Sequence, residues 1–429
     1  MSEIVLEGGV PLRGSVRLLG AKNAVLQQMI STLICPGWHR LSNVPDIADV
    51  RALMEVLEHL GVRCDLVGKD LAMVVPERMS VEAPLELVRS MRASILLLGP
   101  LLTRFGEAKV PLPGGDDLGA RPVDMHLSGL RQMGAELELV HGVLVGRAPR
   151  GLTGTEVELP FPSVGATQNL MMAAVMARGD SAIINAAREP EIEDLGLQLE
   201  KMGARLSGVG SPIIRIVGTR DLHPAAHRVI SDRIAAGTYA MAGAITGGEV
   251  TITGCEPAHL RMELAKLEAV GCEVERGEGW LRLQGPDRPE AVDFATLPYP
   301  GFHTDLHPQM VAVLSVARGT SVITENLYDG RFRYVGELAR MGADIYTEWQ
   351  HAIVRGVERL SGCPVMATDI RAGAALVIAG LAADGFTSIG GVEHIDRGYA
   401  DLVGDLTGMG ARIRREDLNN DDRTRLFGW

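Results

Sequence analysis

Three cationic side chains stand where helices should start. Lys22 opens Lys22-Asn23-Ala24-Val25-Leu26, Arg92 opens Arg92-Ala93-Ser94-Ile95-Leu96-Leu97-Leu98, and Arg371 opens Arg371-Ala372-Gly373-Ala374-Ala375-Leu376. A buried apolar helix ordinarily begins on a cap such as Ser, Thr, Asp or Asn. A cation there opposes the helix dipole, at a cost of about 0.3–1 kcal/mol. Any one of these residues could be an isolated surface charge; as a set they suggest an anion close by. Helix N-termini are themselves anion sites, so a Lys or Arg beside one makes a pocket for a phosphate or carboxylate.

The densest polar segment runs from Pro111 to Asp124, with Asp116 and Asp117 among its carboxylates and Arg121 as a further cation. Three glycines, three prolines and three aspartates between a strand pattern and a helix pattern read as a functional loop or as an ordinary surface turn. Composition alone leaves both open.

The elements that must position these residues repeat. One phrase occurs six times: Leu60-Gly61-Val62, Met133-Gly134-Ala135, Met202-Gly203-Ala204, Val270-Gly271-Cys272, Met341-Gly342-Ala343 and Met409-Gly410-Ala411, at glycine spacings of 73, 69, 68, 71 and 68. Each follows an amphipathic helical run and precedes an alternating strand-like run, so the glycine reads as a helix C-cap. A second phrase, a glycine leading into a strand, recurs at Gly37, Gly106, Gly179, Gly248, Gly319 and Gly385. Each follows an apolar helix beginning near Lys22, Arg92, Ala166, Arg233, Asp305 or Arg371. One repeat of about 70 residues therefore reads as strand, helix, strand, helix, strand, strand. Six repeats divide as three plus three, with the seam in the loop Gly218 to Pro224.

Composition bounds the class. The chain has 429 residues, 46% hydrophobic and 4% aromatic, enough for one large or two medium cores, of which two domains is the natural expectation. A net charge of −12 disfavours nucleic acid as a partner, yet screening lets a few local cations outweigh distant acidic groups. No apolar stretch approaches a membrane span and the first residues carry no secretory pattern, so a cytoplasmic location is expected. The five cysteines, Cys35, Cys64, Cys255, Cys272 and Cys363, form no C-x-x-C pair, which argues against a disulfide framework and a zinc site; most read as buried small hydrophobes.

Taken together, Gly20-Ala21-Lys22-Asn23, Met91-Arg92-Ala93-Ser94, the loop from Pro113 to Asp124, Ser163-Val164-Gly165-Ala166-Thr167, Ala186 to Glu191, Thr304-Asp305 and His394 to Tyr399 resemble the UDP-N-acetylglucosamine enolpyruvyl transferase family, across essentially the whole chain. The resemblance implies an α/β fold of two inside-out, barrel-like domains of three repeats each. It places the N-terminal strands with the second half, giving domains 20–228 and 1–19 plus 229–429 with the active site in the cleft between them. It implies transfer of the enolpyruvyl group of phosphoenolpyruvate to the 3-hydroxyl of UDP-N-acetylglucosamine, with release of phosphate and without a metal or cofactor. Lys22, Arg121 and Arg397 match residues that hold phosphoenolpyruvate, and Asn23 and Arg92 match contacts around the substrates. Arg121, Pro122, Val123, Asp124 and Met125, with Ser163, Val164 and Gly165, match the wall for the uridine diphosphate; Leu327 matches another nucleotide-sugar contact. Asp305 matches the base that takes the proton of the sugar hydroxyl, and Asp116 stands at the proton-donor position most often held by a reactive cysteine.

That chemistry suits the residue types. Fixed cations stabilise the charge of a tetrahedral ketal without reorganising, and a carboxylate can act as general base. Two further departures concern the acceptor: His303 and His307 flank Asp305 where relatives more often carry proline and glutamine, and Phe161 stands where many carry a basic residue. They motivate an alternative acceptor such as a nucleoside monophosphate. A shikimate-pathway role is not expected with Arg121-Pro122-Val123-Asp124, and a silent nucleotide-sugar-binding relative is disfavoured by retention of Lys22, Arg121, Asp305 and Arg397.

Overall fold

The computed structural model describes residues 2–88, 91–114, 122–417 and 426. The chain divides into two compact units, a first of Gly20–Gly115 with Pro122–Ile230 and a second of Met1–Leu19 with Ser231–Trp429. Each has its own hydrophobic core.

The cores are built on helices that are buried on nearly every side. In the first unit these are α1 (Lys22–Ser31), α2 (Leu98–Phe105) and α3 (Val164–Ala174); in the second, α4 (Arg233–Ile245), α5 (His307–Leu314) and α6 (Ile370–Ala382). A helix apolar on all sides has no surface to offer water and goes inside. Every residue of α5, and every residue of α6 up to Leu381, is buried. In the second unit the three inner helices pack on one another; in the first, α2 packs on α3 and the 3-10 turn Arg92–Leu97 bridges α1 and α3. Small residues set the spacing: a methyl group on Gly237 of α4 would come within 2.4 Å of Leu306 Cδ1.

Around the inner helices lie outer amphipathic helices and small sheets. The first repeat shows the pattern: strand Gly37–Ser42, helix Ala48–Leu60, then the hairpin Arg63–Val67 and Asp70–Val75, whose second strand alternates half-buried and buried. Strand Gly37–Ser42 lies between Asp70–Val75, antiparallel, and Ala226–Arg228, parallel. The second unit borrows from the N-terminus in the same way. Ser2–Glu7 sits between Phe386–Gly390 and Arg412–Asp417, with Ile4 opposite Ile389 and Arg415, and Arg13–Arg17 runs parallel to Glu249–Thr253.

All six Gly phrases end an outer helix in the same way. Gly61, Gly134, Gly203, Gly271, Gly342 and Gly410 have φ between 91° and 108°, a conformation costly for any residue with a Cβ. After each, the next N–H turns back to a leucine carbonyl five residues earlier: Val62 to Leu57, Ala135 to Leu130, Ala204 to Leu199, Cys272 to Leu267, Ala343 to Leu338 and Ala411 to Leu406, at 2.9–3.1 Å. This is the Schellman closure, which satisfies a carbonyl the helix leaves open. Of the second glycine set, Gly37, Gly106, Gly179, Gly319 and Gly385 have positive φ, but in the fourth repeat Gly247 takes that role and not Gly248. Gly248 is constrained instead by crowding, since a Cβ there would lie 2.2 Å from the Leu12 carbonyl oxygen.

Among the described residues no helix is long and apolar enough to cross a membrane.

Candidate active site

In the second unit the candidate site starts from one turn of 3-10 helix, Thr304–Leu306, leading into α5, where Pro308 suits the first turn because its missing N–H is not needed. His303 caps the turn: its Nδ1 accepts the Asp305 N–H at 2.9 Å, and its own N–H donates to Glu263 Oε1 at 2.8 Å. The Asp305 carboxylate then meets two guanidiniums. Arg331 Nη2 donates to Oδ1 at 3.0 Å, and Arg371 donates to Oδ2 from Nε at 3.2 Å and Nη2 at 3.1 Å. Asp305 is 20% exposed, whereas Arg331 and Arg371 are 1% and 4% exposed. The cations are thus built into the floor and the carboxylate looks out.

Two guanidiniums share one carboxylate here, and their neighbours hold them in place. Arg331 also donates to the Thr304 carbonyl from Nε and Nη2, at 3.2 and 2.9 Å. Arg371 lies in the first turn of α6, whose cap is Asp369, accepting the N–H groups of Arg371 and Ala372 at 2.8 and 3.0 Å. Its Nη1 reaches the Tyr399 hydroxyl at 3.4 Å, which pairs with Thr238 Oγ1 at 2.8 Å. Burial works against the Arg371 charge, but Asp305, Tyr399 and Asp232 together outweigh it and hold the guanidinium above its usual range. Arg397, half-buried, follows the short helix Val392–Asp396, two residues before Tyr399.

A buried carboxylate connects this turn to the segment carrying Leu327. Glu325 Oε1 accepts the N–H groups of Leu327 and Tyr328 at 2.7 and 3.2 Å, and Oε2 accepts the Thr304 hydroxyl at 2.9 Å. His307, expected as a possible acceptor-facing residue, is a core residue. It is fully buried with its ring edge-on to Phe294, Phe332 and Tyr334. Burial, reinforced by Arg331, pushes its imidazole well below the usual histidine range, and neither ring nitrogen has a hydrogen-bond partner among the described residues. The chain turns it inward because α5 is buried on every side, so His307 lends no support to a different acceptor.

In the first unit Lys22 begins α1 and pairs with Asp49 of the outer helix Ala48–Leu60, Nζ to Oδ2 at 2.9 Å. Asn23 follows it, half-buried. Arg92 starts the 3-10 turn that leads into α2 and not an α-helix of its own. A second group gathers at two helix N-termini. Pro122 and Val123 lead into the helix Asp124–Gln132, on which Met125 is half-buried and His126 buried. Ser163 caps α3, accepting the Ala166 N–H at 3.3 Å, so α3 starts at Val164, earlier than the expected Ala166. Gly165 packs on His126: a Cβ there would lie 3.1 Å from the ring Cε1. Asn169 fastens the group, its Nδ2 meeting His126 Nδ1 at 3.1 Å and donating to the Ile95 carbonyl at 3.2 Å. Burial, then the nearby Arg92 charge, pulls the His126 imidazole down to about 4 against the opposing pull of Asp124.

The structure thus groups Arg92, Asp124, Ser163, Val164 and Gly165 around His126 in one unit, and Asp305 and Leu327 around Thr304 and Glu325 in the other. Asp116 and Arg121 lie outside the described residues. The anions expected beside the helix-start cations include carboxylates of the chain itself, Asp49 for Lys22 and Asp305 for Arg371. Sequence reasoning missed Arg331, Glu325 and Asp49. Of the two guanidiniums on Asp305, Arg371 alone carried a sequence signal, its helix-start position.

Comparison with known proteins agrees with this arrangement of elements. The model of the EPSP synthase (3-phosphoshikimate 1-carboxyvinyltransferase) family matches residues 6–406. A UDP-N-acetylglucosamine 1-carboxyvinyltransferase of Mycobacterium bovis is 49% identical over 411 residues, 96% of this chain and 98% of that protein. One from Anaeromyxobacter is 50% identical over 420 residues, 97% of this chain and all of that protein. The crystal structure of the enolpyruvyl transferase NikO from Streptomyces tendae superposes with a TM-score of 0.88 at 25% identity, covering 97% of this chain and 99% of that one. Matched from end to end in sequence and fold, the chain belongs to the enolpyruvyl transferases of the EPSP synthase family, among the relatives named UDP-N-acetylglucosamine 1-carboxyvinyltransferase.

Proposed function

We propose that the protein transfers the enolpyruvyl group of phosphoenolpyruvate to the 3-hydroxyl of UDP-N-acetylglucosamine and releases phosphate, the committing step of peptidoglycan synthesis. The observation that carries this reading is identity near one half, over the whole chain, to enzymes named for that reaction.

In this reading the residues take distinct roles. Lys22, Arg331, Arg371 and Arg397 are cations for the phosphate and carboxylate of phosphoenolpyruvate, with Arg121 from the loop. Buried guanidiniums need no reorganisation to meet the charge that builds up in the tetrahedral ketal. The first turns of Asp124–Gln132 and α3, with Val123, Met125, Ser163, Val164 and Gly165, offer backbone N–H groups to a diphosphate, and Pro122 lines the same wall without donating. Asn23, Arg92 and Leu327 contact the substrates, and Asp116 donates the proton to C3. Asp305 takes the proton of the sugar hydroxyl. A carboxylate held by two guanidiniums is a poorer base than a free one. A substrate carboxylate arriving at Arg331 or Arg371 competes for those guanidiniums and frees Asp305 to act. Substrate binding and base strength are then one event.

Phosphate release from phosphoenolpyruvate, assayed with UDP-N-acetylglucosamine, uridine monophosphate and shikimate 3-phosphate and followed by mass spectrometry of the product, tests the reading. Release and an enolpyruvyl ether are expected with the first acceptor. Turnover with another acceptor and none with this one would overturn it.

A further inference from the structure

We propose that His303 is a positioning residue whose neutral imidazole holds Asp305 in its working orientation and sets the acid limit of turnover. The inference rests on the reading of Asp305 as the base, but concerns a residue to which that reading gives no role.

The turn Thr304–Leu306 contributes one helical turn, too short to order itself, so its geometry depends on what caps it. His303 does this twice. Its backbone N–H is anchored on Glu263 at 2.8 Å, and its Nδ1 accepts the Asp305 N–H at 2.9 Å. The second bond fixes the backbone nitrogen of the residue whose carboxylate must face the sugar hydroxyl. An imidazole nitrogen can accept only while it carries no proton. Protonation at Nδ1 would set two N–H groups against each other and release the cap. The hydrogen bond therefore requires the neutral ring, with its proton on Nε2.

Charged groups from several elements meet the turn that carries the ring. Glu263, on the helix Arg261–Ala269, is buried, and burial pushes its carboxyl up while the His303 N–H pulls it back. Arg233 of α4 acts on Glu263, and Arg331 and Arg371 reach the turn through Thr304 and Asp305, whose charge those two guanidiniums share. As pH falls through the titration of this ring, the neutral form is lost and turnover falls with it; as pH rises, the cap is complete.

Turnover and KM as functions of pH, from about pH 5 to about pH 9 across the range where histidine titrates, should be compared for the full chain and for His303→Ala, His303→Asn and Asp305→Ala. His303→Ala should lower kcat about 2- to 30-fold at neutral pH, the range expected for a lost cap, with KM for the nucleotide sugar little changed. Asparagine caps through an amide oxygen that does not titrate, so His303→Asn should restore kcat and move the acid limit to lower pH. A wild-type kcat in His303→Ala, or an acid limit unmoved in His303→Asn, would overturn the proposal. A purely structural role would destabilise His303→Ala without moving the pH profile of His303→Asn. Normal turnover in Asp305→Ala would instead remove the reading of Asp305 as base.

Discussion

Arg371 and Asp305, 66 residues apart in the chain, meet through two guanidinium nitrogens on one carboxylate oxygen, at 3.2 and 3.1 Å. The buried partner is the cation and the partly exposed one the anion. Removing the anion leaves charge in a place water reaches poorly, so the pair matters to folding as well as to chemistry.

Asp305→Ala is therefore expected to abolish turnover while nucleotide-sugar binding stays measurable by calorimetry. It should also cost on the order of 2 kcal/mol in urea unfolding, less than the about 3–5 kcal/mol of a fully buried pair because Asp305 is partly exposed. Unchanged stability with lost turnover would mean that Arg331 and Arg371 find other partners.

Glu325→Ala removes the acceptor of the Thr304 hydroxyl and of the Leu327 and Tyr328 N–H groups at once. A stability loss of about 1–3 kcal/mol is expected from buried donors left unpaired. KM for the nucleotide sugar should rise along with a fall in kcat, because the carboxylate holds both the Leu327 segment and the Asp305 turn. An effect on kcat alone, read by steady-state kinetics, would separate the two segments.

His126 gives the first unit an acid-sensitive point. Its imidazole falls from the usual 6.5 to about 4 on folding, chiefly by burial. The unfolded state then binds the proton first, so stability is fully present above about pH 6.5 and drains away towards about pH 4, by about 3 kcal/mol at 1.36 kcal/mol per unit. His126→Gln should flatten the dependence of the urea midpoint on pH over that window. An identical slope would assign the acid sensitivity elsewhere, with His307 in the second unit the next candidate, since burial depresses it in the same direction.

Fosfomycin, an epoxide that alkylates a cysteine thiolate in this family, should fail to inactivate the protein. Burial pushes the Cys64 and Cys272 thiols up to about 12 and Cys255 up to about 11, and Cys35 and Cys363 shift in the same direction. None of the five is a ready thiolate at neutral pH. Asp116→Cys should keep measurable activity and create sensitivity, seen as a mass increase of the intact protein. Rapid covalent inactivation of the unmodified chain would overturn the placement of Asp116 at the donor position.

The sequence by itself determined whatever depends on a residue and its near neighbours. Six glycines at a steady period had to follow six helices, because only a residue without a Cβ enters the left-handed region cheaply, and all six do so. Helices with no charged face had to become the inner layer, and the largely apolar runs after Lys22, Asp305 and Arg371 are buried. Lys22, Asp305 and Arg397 could be singled out because each sits in a distinctive short phrase. Tertiary structure decided the rest. Arg331 begins an unremarkable 3-10 turn, and only the packing of that turn against Thr304 makes it a partner of Asp305. Glu325 resembles any strand-end carboxylate until the chain brings Thr304 to it. His307 had the composition of a site residue and became core, because the helix it begins is enclosed on all sides and the energy of enclosing α5 outweighs the cost of one neutral imidazole. Long-range pairings of this kind leave no local trace, since nothing in the spacing of two residues records which surfaces the fold will press together.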